Sequence, residues 1–216
     1  MNETRQPQSH RRAERGFTLV EVIVVLSVVL LLTGIAVPML SSYMEDGRRA
    51  RAEAECKVIG ASVSSFYKDL GVWPARNSAA SNNQIYVLLT GNTMPTTNPF
   101  TAGHQWITWG MSTARGDLAN YHLTVNTPQA TTGAAYTTTG NIRWRGPYSN
   151  GNTPLDPWGR PYVINVVSGH LANATNYKRL WVISAGPNGT FDTNANATAT
   201  TDIAGDDIGY LVNQVQ

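Results

Sequence analysis

Cysteine is nearly missing from this chain of 216 residues: Cys56 stands alone, which excludes an intramolecular disulfide and a redox motif. Charge is also scarce, at 14% of residues, and unevenly spread. From Val22 to Leu40 there are 19 residues without a single charge. After Asp69 the only acids are Asp117, Asp156, Asp192, Asp202, Asp206 and Asp207. There is no glycine loop to cradle phosphate, and His104, His122 and His170 are scattered, with no nucleophile beside a base. The sequence therefore gives no reason to expect an enzyme. Basic residues outnumber acids by 16 to 14, but Arg5, Arg11, Arg12 and Arg15 against Glu3 and Glu14 account for that surplus. Beyond residue 16 the balance is 12 to 12, which leaves no basic patch on which nucleic acid could land.

The uncharged run is the first positive feature. At about 1.5 Å rise per residue, a helix over Val22–Leu40 approaches the roughly 30 Å of a bilayer core. Arg11, Arg12 and Arg15 precede it and favour the cytoplasmic side. A cleaved signal peptide has a shorter apolar region with its small-residue site behind it. Here the small residue, Gly16, lies in front. A buried core helix rarely runs so far without charge. A plain membrane anchor fits the hydropathy but gives no account of Glu21 at the entrance, a carboxylate that is costly at the membrane edge unless paired. Near a helix N-terminus it gains from the helix dipole.

The string Gly16-Phe17-Thr18-Leu19-Val20-Glu21, with a short basic leader before it and the apolar run after it, resembles the class III signal of type IV pilins and type II secretion pseudopilins. The resemblance implies cleavage by a prepilin peptidase after Gly16 and N-methylation of Phe17. It also implies an assembly role for Glu21, neutralising the terminal amine of a neighbouring subunit. Pro38 falls where the long helix of such proteins is often locally unwound, and Pro38 and Gly34 are places where a helix can bend.

The segment 41–70 has no proline, and Ala50, Ala54, Val58, Ala61 and Phe66 form an apolar stripe at spacings of three to five. Gly71 is a natural stop, and Phe66, Leu70 and Trp73 are expected anchors. Ser65–Pro74 is similar to the segment ending the long helix in the major pseudopilin of type II secretion. Gln84–Leu89 reads as part of a second helix. In 92–144, strands are expected at 121–125 and 104–109. Compact relatives lack most of this stretch, so it reads as an insertion, either surface decoration or a contact surface. The string Asp156-Pro157-Trp158-Gly159-Arg160-Pro161-Tyr162 resembles another pseudopilin feature. In it, Asp156 suits a turn cap, Gly159 a positive φ and Trp158 a core position. Tyr162–Val167 should be a strand and Arg179–Ser184 its antiparallel partner, with Gly169–Asn176 between them.

Four of the six late acids fall between 192 and 207 in a Gly- and Asn-rich segment. Oxygen ligands on turns suit Ca²⁺, although the spacing does not match an EF-hand, and a solvated acidic turn has the same composition. The stretch Ser184–Gly189 with the Asp206-Asp207-Ile208-Gly209 end is similar to the calcium loop of the major pseudopilin. That resemblance implies Asp202, Asp206 and Asp207 as side-chain ligands, with Leu180 and Ser184 through their carbonyls. The departure over 194–201 leaves Asp192 open as an alternative to Asp202.

The expected fold is α+β and pilin-like, with a long N-terminal helix packed on a small antiparallel sheet. The expected layout is a leader over 1–16, a transmembrane half of the helix over 17–42 and a soluble half over 43–71. A globular head follows over 72–216, with its calcium loop at 184–209. The expected function is that of a subunit polymerising into the periplasmic pseudopilus of type II secretion, processed by prepilin peptidase. Its partners would be minor pseudopilins, the inner-membrane assembly platform and the outer-membrane secretin channel. The alternatives are a subunit of a type IV surface pilus and a membrane-anchored periplasmic binding module.

Overall fold

The computed structural model describes residues 16–79, 84–103, 115–151, 154–166, 179–193 and 203–214. The chain divides into two compact units, Met1–Glu45 and Asp46–Gln216. The first unit is helical from Leu19 onward and belongs to helix α1, Leu19–Leu70. It is the one helix among the described residues long and apolar enough to cross a membrane, with a mean hydropathy of 2.8 over its most apolar window. The apolar side chains of this unit are exposed throughout, as suits a segment whose solvent is lipid or other helices. The helix continues without interruption through Gly34 and Pro38.

In the second unit α1 supplies one wall of the core. Its buried apolar side chains are Ala52, Cys56, Ile59, Val63, Phe66 and Leu70, a spacing of four and three that keeps them on one face. The stripe read from the sequence was set on the wrong face: Ala50, Ala54, Val58 and Ala61 are exposed and only Phe66 is buried. Larger side chains gain more from burial than alanine does, so Ile59, Val63 and Leu70 decide which face turns inward. Gly71 ends the helix with φ of 66°, and its N–H donates to Tyr67 O at 2.7 Å. Trp73 stacks on Tyr67 with ring centroids 4.2 Å apart.

The strands are β1 Val87–Leu89, β2 Ala102–Gly103, β3 Gly116–Leu118, β4 Val163–Asn165, β5 Arg179–Ser184, β6 Thr190–Phe191 and β7 Ile208–Gln214. The main sheet has the order β3-β1-β4-β5-β7. The pairs β1–β4, β4–β5 and β5–β7 are antiparallel, while β1–β3 is parallel. The α+β expectation holds, but the sheet is mixed rather than purely antiparallel. β2 and β6 form a separate parallel pair. Alternate residues divide between two cores, as a period of two requires. Leu88, Ile164, Leu180 and Val182 face α1, while Val87, Leu89, Val163, Trp181 and Ile183 join Phe100 and Phe191 on the other side.

At the edge of the sheet, β7 lies directly against α1. A Cβ on Gly60 would stand 2.5 Å from the Tyr210 ring, so only glycine admits this approach. The Cys56 thiol contacts Ile208 O at 3.6 Å.

Two secondary-structure expectations fail. Gln84–Leu89 contains strand β1 rather than a helix, because a short apolar run buried on both faces suits a central strand. Residues 121–125 are not a strand: α2 covers Ala119–Leu123, its Leu123 and His122 fully buried. The surface-decoration reading also fails for 115–136, since Leu118, Ala119, Leu123, Ala134 and Tyr136 are core residues. The expected strand at 104–109, with Trp106 and Trp109, and the loop Gly169–Asn176 lie outside the described residues.

Candidate functional site

At the start of α1 the geometry is a capping box. Thr18 is the N-cap, and its Oγ1 accepts the Glu21 N–H at 3.2 Å. Glu21 Oε2 in turn accepts the Thr18 N–H and hydroxyl, each at 3.2 Å. A carboxylate at this position also faces the positive end of the helix dipole. Phe17 is 85% exposed, and a Cβ on Gly16 would meet nothing within 4 Å, so among the described residues nothing crowds the peptide after Gly16. Glu21 thus has an intramolecular partner that the sequence reading missed, although the Thr-x-x-Glu spacing signals it. The structure keeps Pro38 helical and exposed.

The second site lies where β5 ends and β7 begins. In the β5–β7 ladder Ser184 pairs with Ile208, which puts Asp206 and Asp207 beside the Ser184 end. Asp207 is buried, and its Oδ2 accepts the Thr193 N–H at 2.7 Å. Asp206 Oδ2 accepts the Asn188 N–H at 3.1 Å. Asp206 Oδ1 and Asp207 Oδ1 are buried without a hydrogen-bond partner. Burial, and to a lesser extent the Asp192 charge, push the Asp207 carboxyl up to about 6. Asp192 packs against Gly205, where a side chain would overlap its carboxylate.

Unpartnered carboxylate oxygens are the donor type that a hard cation takes, and Asp206 and Asp207 offer one each. Asp202 lies outside the described residues. Among those described, no group of three or more His, Cys, Asp or Glu is gathered in metal-binding geometry. Leu180 pairs with Asn213 at the far end of β5. Four residues of strand are about 13 Å, too far from Ser184 to share one ion. The Ser184 side chain is already engaged, donating to Asp156 Oδ2 at 2.7 Å.

The Asp156–Tyr162 turn braces this end of the sheet. Asp156 Oδ1 accepts the Trp158 and Arg160 N–H groups at 3.1 and 2.8 Å, and Gly159 takes φ of 84°. The expected turn cap and positive φ are present. Trp158 is half-buried against the helix-side core. Tyr162, fully buried, donates its hydroxyl to Glu55 Oε2 at 2.5 Å, tying the turn to α1. Burial together with Glu55 raises the Tyr162 hydroxyl above its ordinary range.

A third polar cluster was invisible in the sequence. His122 Nε2 lies 2.9 Å from Asp117 Oδ2, and its Nδ1 lies 2.7 Å from the Tyr136 hydroxyl. A carboxylate only accepts, so Nε2–H donates to Asp117 while Nδ1 shares its hydrogen bond with the Tyr136 hydroxyl. Burial raises the Tyr136 hydroxyl well above its usual range, which keeps it a donor. Asp117 also accepts from Leu118 N at 2.8 Å and Gln129 N at 2.7 Å. All three side chains are buried, so no substrate reaches them.

Comparison with known proteins places these features in a family context. A family model described as a prokaryotic N-terminal methylation motif matches residues 11–37. One described as type II secretion system (T2SS), protein G, matches residues 109–203, taking in part of the stretch expected to be an insertion. Fimbrial protein EcpC of Eikenella corrodens is 34% identical over 70 residues, which is 32% of this chain and 46% of that protein. Type IV major pilin protein PilE of Neisseria gonorrhoeae is 28% identical over 67 residues, 31% of this chain and 40% of that protein. The matches thus span less than half of each curated relative. No solved structure matches the chain.

Proposed function

From this family-level match to type II secretion pseudopilins and type IV pilin-like proteins, we propose that the chain is a structural subunit of the periplasmic pseudopilus that drives type II secretion. The observation that carries the reading is the open Gly16–Phe17 peptide and capped Glu21 at the head of an uncharged helix, together with the protein G match over 109–203. Prepilin peptidase cuts after Gly16 and Phe17 is N-methylated. The subunit waits in the inner membrane as a single span with its head in the periplasm. On assembly, Glu21 exchanges part of its bonding to Thr18 for the terminal amine of a neighbour. That exchange costs little, because an exposed hydrogen bond contributes only about 1 kcal/mol. The minor pseudopilins, the assembly platform and the secretin channel are the further partners.

Calcium is the proposed ligand of the 184–209 end of the sheet. Asp206 and Asp207 supply their free oxygens, with Asp202 or Asp192 as the third carboxylate and Ser184 through its carbonyl. When bound, the ion offsets carboxylate repulsion and stabilises the folded loop by linkage.

The named relatives, a fimbrial protein and a type IV major pilin, favour a surface pilus as the second reading. Filament formation by Glu21→Ala in a secreting strain tests the common part. Filaments are expected to be lost while the monomer stays folded in the membrane, and a normal filament yield would overturn the proposal. Secretion of exoproteins by a strain lacking this chain separates the readings: loss indicates the pseudopilus, and loss of surface filaments alone indicates the pilus.

A further inference from the structure

Between β5 and β6 the chain reverses through Ala185-Gly186-Pro187-Asn188-Gly189, closed by the Gly189 N–H on Ala185 O at 3.2 Å. Gly186 and Gly189 have φ of 60° and 73°, conformations that suit glycine. Every carbonyl from 186 to 189 already accepts a hydrogen bond from elsewhere in the chain. Arg160 Nη1 donates to Gly186 O at 2.9 Å and Nη2 to Pro187 O at 3.0 Å. Thr101 donates its hydroxyl to Asn188 O at 3.3 Å and its N–H to Gly189 O at 2.8 Å. Another part of the turn meets the acids: Asn188 N–H is held by Asp206 Oδ2, and Gly186 lies so close to the Asp206 backbone that a side chain would overlap it. A Cβ on Gly189 would likewise run into the Arg160 guanidinium at 2.7 Å.

We propose that Arg160 is the positioning residue of the carboxylate loop. Its planar fork grips two successive carbonyls, a geometry that the point charge of lysine cannot reproduce. The grip fixes the turn in the shape that presents the Asn188 N–H to Asp206, and so sets where Asp206 and the adjacent Asp207 stand. It also engages the turn carbonyls from within the protein, leaving side-chain carboxylates as the main ligands for a hard divalent cation. This rests on the calcium reading above, and the test separates the two.

The test uses the full chain in detergent, with Arg160→Met, which keeps much of the alkyl volume, and Arg160→Lys. Calorimetric titration reads calcium affinity, and amide hydrogen exchange in chelator reads the turn without the ion. For Arg160→Met the affinity is expected to fall by about tenfold, as for loss of a residue that orients metal ligands. Exchange at Asn188, Gly189 and Thr190 is expected to quicken, and lysine to restore part of both. A positioning role weakens binding even though a repelling positive charge has been removed; unchanged or tighter binding overturns the proposal. If the unmodified chain takes up no calcium, the calcium reading falls and exchange alone decides. Faster exchange at those three amides in Arg160→Met then upholds the grip of Arg160, and unaltered exchange sinks it. Should Arg160→Met not fold, Arg160→Lys is judged by the same two measurements.

Discussion

Two polar regions of the head, both rich in buried side-chain oxygens, end in different states. Around Asp117 the network is complete: its carboxylate meets Leu118 N, Gln129 N and His122, and His122 meets Tyr136. Around Asp206 and Asp207 it is not, since each keeps one buried oxygen without a partner. A completed network is architecture, because removing any member strands the others. An incomplete one in a folded protein calls for an explanation, and the proposed calcium ion would supply one for two adjacent carboxylates.

The sharpest way to break this comparison is Asp117→Ala. It leaves two backbone N–H groups and His122 Nε2 without an acceptor in the interior, at a cost of about 4 kcal/mol. The melting temperature should fall by roughly 10 °C, equally in calcium and in chelator. A loss that calcium reverses would mean that the two regions are not independent.

Adding a chelator to the unmodified full chain should lower its melting temperature by several degrees, corresponding to about 2–3 kcal/mol at a hundredfold excess of ion over Kd. Asp207→Asn should remove most of that response. An unchanged melting temperature in chelator would leave the two free oxygens without an occupant.

Cys56 lies on the face of α1 that meets β7. Burial pushes its thiol up to about 12, above the roughly 8.5 of an unfolded chain. Its contribution to stability is therefore full below about pH 8.5 and lost as pH rises through 12. An alkylating reagent at pH 8 should leave native Cys56 unmodified and react with it once the chain is unfolded. Reaction at equal rates in both states would contradict its burial.

Glu21→Ala should have the smallest effect on the folded monomer. It removes one half of an exposed capping box, about 1 kcal/mol of local helix stability. The fraying should be visible as faster amide exchange at Leu19–Val22, with no change in head melting.

How much of this was legible depends on the range of the interaction. The helix stop at Gly71, the turn cap at Asp156 and the strands around 163–165 and 179–184 follow from local chemistry, and the sequence shows them. The Thr18–Glu21 box is local too, and its spacing was there to be read. Gln84–Leu89 misled because a short apolar run has no period that separates strand from helix. Tyr121–Val125 carries β-forming residues, yet His122 is held by Asp117 and Tyr136, and tertiary bonds override weak propensity. Contacts such as Arg160 with Gly186, 26 residues apart, and Tyr162 with Glu55, 107 apart, leave no trace in composition or spacing. The closeness of Asp206 and Asp207 to the Ser184 end of β5 was therefore legible in the chain, whereas the groups that hold them were not.

The seating of Tyr210 on Gly60 sets an order of events. α1 is the earliest of the described elements to be made and β7 the latest, yet the two are neighbours in space. While the intervening residues are still being synthesised, the Cys56–Gly60 face of the helix has no strand to rest on. The edge of the head against Gly60 is therefore completed only by the last strand, through Tyr210 and Val212.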